Sequence, residues 1–65
     1  MTHEERILVD EANRLAEQVG QYPMGTPIAE FKHLEDAWSA IVAKLVNDFN
    51  WTDDMLCDHV TAPDS

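Results

Sequence analysis

Apolar residues recur along this chain at the spacing of an α-helix, in two long runs and one short one. The middle run is the clearest. Phe31, Leu34, Trp38, Ile41, Val42, Leu45 and Phe49 follow one another at steps of 3, 4, 3, 1, 3 and 4 residues. Such steps keep all seven on one face, close to a heptad seam. The spacing predicts one helix over 27–49, roughly 33 Å long at about 1.5 Å per residue. Thr26 is expected to cap it, and Pro27 to take the first helical position, where a missing N–H costs nothing. An aromatic and aliphatic stripe of this kind is expected to be core. Ile28 and Val46 flank it. Glu35 falls on the same flank, and a carboxylate cannot be buried there alone. It is expected at the rim, reaching water or pairing with Lys32 or Ser39; the alternative is an intersubunit or interhelix contact, for example with Arg14. His33 lies well off the stripe and is expected in solvent.

The first run predicts a helix over about 2–19. Leu8, Ala12, Leu15 and Val19 share a face at three- and four-residue steps. "THEE" sets its start: the Thr2 hydroxyl can cap, and Glu5, three residues on, can reach back, which is the capping-box pattern. Gly20 is expected to close the helix in a left-handed conformation. Arg6, Asp10 and Arg14 on the far face can form a weak surface ladder. Ile7 and Val9 lie on opposite flanks of the stripe and widen the apolar arc to roughly 200° at about 100° per residue. A single surface helix needs less than that. The excess is explained either by partial burial or by contact with a second chain. Between the two long helices, "GQYPMGTP" holds two glycines and two prolines in eight residues and reads as a connector.

The short run lies in "NWTDDMLCDHV". Thr52 is a natural cap, and Asp53 and Asp54 then meet the positive end of the helix dipole. Trp51 and Leu56 have the spacing of a hydrophobic staple across the helix start. A third helix is expected over about 52–60, with Met55, Leu56 and Val60 as its apolar face. Residues 61–65 are expected to be a frayed tail. The fold class is all-α: a small helical bundle of two long antiparallel helices and a short C-terminal one, in a single domain over 1–65.

Composition changes this picture in two ways. The chain has 65 residues, so its core is small and a partner or second copy would help stability. A homodimer is the expectation, with Ile7, Val9, Ile28 and Val46 as its apolar interface. One cysteine, Cys57, allows no internal disulfide and fits a reducing compartment. The acidic N-terminus is unlike a signal peptide, and there is no long apolar span. A cytoplasmic location is therefore expected, with no membrane association.

Charge is the stronger influence. Thirteen acids stand against four Lys and Arg, for a net charge of −9. Such a chain repels nucleic acid, which is bound through Lys and Arg, and attracts basic surfaces. No Lys or Arg follows Lys44, and acids such as Glu17, Glu30 and Asp64 lack a nearby base. Glu4 and Glu11 share a helix face, and so do Asp54 and Asp58, about 6 Å apart along the axis. That separation is comparable to the gap between successive backbone phosphates. With Asp53, these residues are the expected partner-binding face.

Candidate chemistry is sparse. Asp54, Cys57, Asp58 and His59 are all possible metal ligands. Cys57 and His59 point in different directions on a helix, and two carboxylates alone make a weak site. The acidic neighbours of Cys57 also oppose thiolate formation. No phosphate-binding loop or metalloprotease motif is present, and a chain this small is expected to leave little room for a pocket of several hundred Å³. Neither enzymatic activity nor a cofactor is expected. The sequence points to a small acidic interaction module that inhibits a basic or nucleic-acid-binding protein. It would act through nucleic-acid mimicry, in analogy of size and charge with bacteriophage anti-defence proteins. The alternative is an assembly subunit acting through an apolar surface.

Overall fold

The computed structural model describes residues 1–63 of the chain. Asp64 and the end of the expected tail lie outside these residues. Among them the chain forms α1 (His3–Gly20), a 3₁₀ turn (Ile28–Glu30), α2 (Lys32–Phe49) and α3 (Asp53–His59), and no strand. The predicted small helical bundle is what the chain forms, with extents of 36 × 19 × 17 Å.

α1 starts on the expected capping box. The Glu5 N–H donates to the Thr2 hydroxyl at 3.2 Å, and the Thr2 N–H donates to Glu5 Oε1 at 3.1 Å. Its other end corrects the expectation for Gly20. Gly20 stays helical, and the helix closes when the Gln21 and Tyr22 N–H groups bond back to the Gln18 and Val19 carbonyls, each at 3.2 Å. Such short-range bonds satisfy terminal carbonyls without a left-handed residue. The positive-φ glycine is Gly25, at φ 92° in the connector.

The start of the second helix is also corrected. Pro27 has ψ 136° and lies outside any helix. The next residues make a tight turn, with the Glu30 N–H on the Pro27 carbonyl at 3.0 Å and the Phe31 N–H on the Ile28 carbonyl at 3.1 Å. Phe31 itself leaves helical geometry at φ −121°, and α2 begins after it. Thr26 caps nothing, because its hydroxyl turns back to the Pro23 carbonyl at 2.6 Å. The break lets the Phe31 ring turn in against Tyr22, 5.3 Å between centroids, where it closes the end of the bundle. α2 ends at Asn50, whose φ of 59° is left-handed. Asparagine tolerates that conformation better than most residues. The reversal lets the Trp51 N–H reach the Leu45 carbonyl at 3.1 Å.

Leu8, Val9 and Ala12 near the start of α1 share one apolar cluster with Leu45 near the end of α2. Val19 and Phe31 line a cleft at the opposite end. The long helices therefore run antiparallel. Ala12 and Ala16, one turn apart and buried, keep α1 smooth at this contact, and small side chains allow close approach. α3 folds back over the same end. Trp51 and Val60 join the buried cluster, and Trp38, Ile41, Val42, Phe49 and Leu56 pack around it. The predicted stripe, from Phe31 through α2, thus faces inward, with Phe31 and Leu45 buried and the other five half-buried.

Candidate functional site

α3 is held by contacts that span most of the chain. Its start is capped as expected, the Met55 N–H donating to the Thr52 hydroxyl at 3.4 Å. The Asn13 side chain holds its end: Nδ2 donates to the His59 carbonyl at 3.1 Å, and Oδ1 accepts from the Thr61 N–H at 2.7 Å. The Trp38 indole donates to the Thr61 carbonyl at 3.1 Å. Thr61, at the start of the expected frayed tail, is thus held at both backbone groups.

Trp51 anchors the entry to α3. Its ring is 3% exposed, and its indole N–H donates to Glu5 Oε2 at 2.6 Å. The ring also meets His59 edge-on, 5.6 Å between centroids. Glu5 therefore serves two elements, the cap of α1 through one oxygen and Trp51 through the other. The Trp51 hydrogen bond first, then the Thr2 backbone and side chain, hold the Glu5 carboxyl below its ordinary pKa.

The five acids expected on one partner-binding face are all exposed, and they fall into two rows. Asn13 marks the side of α1 that faces α3. Glu11, two residues away, lies about 160° around the helix from it, and Glu4 shares that side. Asp53, Asp54 and Asp58 belong to α3. Glu4 and Glu11 thus stand apart from the α3 acids, across the body of α1. From residue 45 to 63 the acids are Asp48, Asp53, Asp54 and Asp58, all exposed, with no Lys or Arg among them.

Of the four residues expected at an apolar interface, Val9 is corrected to core. Val9 is 7% exposed and part of the core. It lies one turn from Asn13, on the side that α3 covers. Ile7, Ile28 and Val46 are 49%, 57% and 39% exposed, and Ile28 is remote from Val46. Ile28 precedes α2 and Val46 is near its end, separated by more than about 21 Å of helix. Ile7 is on the flank of α1 away from α3. Val46 follows Val42 by one turn, which puts it beside the α2–α3 junction.

That junction is a feature the sequence did not announce. Trp38 and Val42 of α2, with Leu56, Cys57 and Val60 near α3, line an open apolar groove of about 430 Å³, and Asp53 stands at its edge. Clefts of about 390 and 300 Å³ lie at the connector end. The expectation of little room for a pocket of several hundred Å³ is corrected in part: all three are open concavities, and the one beside α3 remains because a short third helix does not fill the valley along a long one.

Other expected contacts are replaced. The Arg6–Asp10–Arg14 ladder does not form among the described residues, nor does a Glu35 ion pair. The ion pair present joins Lys32 to Asp36 at 3.9 Å, exposed and therefore weak. Cys57 is a free, exposed thiol. Among the described residues, no three His, Cys, Asp or Glu side chains converge so as to hold a metal ion, and no helix is long and apolar enough to cross a membrane. No known protein family, curated protein or solved structure matches the chain.

Proposed function

We propose that this chain is a small acidic interaction protein that binds and inhibits a basic, nucleic-acid-binding protein in the cytoplasm. The observation behind this reading is α3, a helix without Lys or Arg that exposes Asp53, Asp54 and Asp58 and whose end is held by the Asn13 and Trp38 side chains. A fixed array of carboxylates presents charge at lower entropic cost than a flexible acidic tail, because its geometry is set before binding. Asp54 and Asp58, on adjacent turns, offer two like charges to a surface built for phosphates.

Affinity capture from host lysate, repeated at about 50 mM and 500 mM salt, tests the reading. A nucleic-acid-binding protein retained at low salt and released at high salt is the expected outcome, since screening weakens exposed charge contacts. Capture that ignores salt, or that survives Asp54→Lys with Asp58→Lys unchanged, would sink it.

A second reading is a homodimeric assembly subunit. It draws on Leu15, which is half-buried on the monomer and stands outside the central apolar cluster. Leu15 lies on the side of α1 away from Asn13 and α3. Sedimentation equilibrium tests this: a dimer abolished by Leu15→Glu supports it, and a monomer at all concentrations removes it.

A further inference from the structure

We propose that the α2–α3 groove is a docking site for one large apolar side chain carried on a basic segment of a partner protein. This deepens the function proposed above and rests on it. The groove floor is apolar: the ring of Trp38, the side chains of Val42 and Leu56, and the edge of Val60. The one polar group of Trp38 is already committed to the Thr61 carbonyl, so the indole is fixed and its N–H is not on offer. What the floor recognises is therefore shape and apolar surface. At about 430 Å³ the open groove has room for a large side chain laid against its floor.

The rim supplies the second half of the recognition. Asp53 lines the groove, and Cys57 at its wall is followed directly by Asp58. No Lys or Arg is among the residues that line the groove. A second copy of this chain, itself at −9, would bring acid against acid. A segment with Lys or Arg on both sides of its apolar anchor matches both floor and rim. The anchor adds specificity that charge alone lacks, because buried apolar contact survives salt that screens the exposed pairs.

The thiol of Cys57 is a built-in reporter, being exposed and on the groove wall. The probes are three synthetic peptides: a lysine-rich peptide with one central leucine, the same peptide with serine at the centre, and a glutamate-rich version with the leucine. With the full chain at low salt, the leucine–lysine peptide should slow alkylation of Cys57 and shift the Trp38 indole N–H resonance. The serine peptide should bind about tenfold more weakly, the loss expected for one buried leucine. Cys57→Trp, which fills the groove from an exposed position, should erase the difference between the two lysine peptides. Asp54→Lys with Asp58→Lys should weaken both and keep their ratio. Equal binding of leucine and serine peptides overturns the groove and leaves the charge reading standing. Equal binding of the lysine and glutamate peptides overturns the basic occupant. If no lysine peptide binds, both proposals fall.

Discussion

The two ends of this bundle are held together differently. At the end covered by α3, polar side chains clamp residues 46 to 48 positions apart: Trp51 on Glu5, and Asn13 on His59 and Thr61, with Trp38 on Thr61 beside them. At the connector end the polar contacts described are local, such as Thr26 to Pro23 and Lys32 to Asp36. There the long-range closure is apolar, with Phe31 turned against Tyr22 beside Val19. A hydrogen bond fixes direction and register, whereas an apolar plug fixes only that surface is covered. The clamped end is also where the acids and the groove lie. Charges on that end are therefore held at fixed positions by directional contacts.

The sharpest way to break this comparison is to remove one anchor from each end. Trp51→Ala deletes a buried ring and leaves Glu5 without its indole partner, and should cost about 3–5 kcal/mol, a large part of the stability of so small a chain. Phe31→Ala should cost about 3 kcal/mol, the lower end of the same range. Urea denaturation gives both values. Hydrogen exchange separates them: Trp51→Ala should expose the amides of α3, while Phe31→Ala should leave them protected relative to the connector. Equal loosening of α3 in the two variants would mean the ends are not distinct.

A smaller change isolates the polar clamp. Asn13→Ala removes two hydrogen bonds and little apolar area, and should cost about 1–2 kcal/mol. The exchange rates of α3 amides should rise while those in the first half of α2 stay as they were. If α3 is unmoved, packing of Leu56 and Val60 suffices and the clamp is incidental.

The smallest effect expected is pH-dependent. The folded Glu5 carboxyl has a pKa below its unfolded value, so the folded state binds fewer protons. The stability it contributes is fully present above the unfolded pKa and is lost as pH falls through the folded one. Thermal unfolding from about pH 6 down to pH 3 should show this loss beginning near the ordinary carboxylate range, about pH 4. In Glu5→Gln, whose amide oxygen can still accept from Trp51, that component should vanish from the acid limb. An unchanged acid limb would show that Glu5 is not linked to folding.

These contacts also mark the limit of what could be read from the chain. The helix starts at Thr2 and Thr52 were legible because capping is a short-range event among residues three apart. The inward face of α2 was legible because its period is that of the helix. The start of α2 was misread at Pro27 because the break at Phe31 serves a distant partner, Tyr22, across the connector. Val9 was read as a possible interface because nothing nearby in sequence shows that α3 will lie over it. The same holds for the candidate site. The excess of acid after Lys44 was visible in the composition, whereas its separation from Glu4 and Glu11 depends on which side of α1 receives α3.

By itself, the sequence determined an all-helical chain, two long helices with a short third, the identity of most core positions and the charge of the surface. Each of these depends on local periodicity, capping chemistry or composition. The tertiary structure alone decided where α3 docks, which flank of α1 it covers, and that a groove opens between Trp38 and Cys57. Those outcomes rest on pairs such as Glu5 with Trp51 and Asn13 with Thr61, which meet only after the chain has folded. Sequence proximity carries no information about them, because the energy that selects them is realised only in the packed bundle.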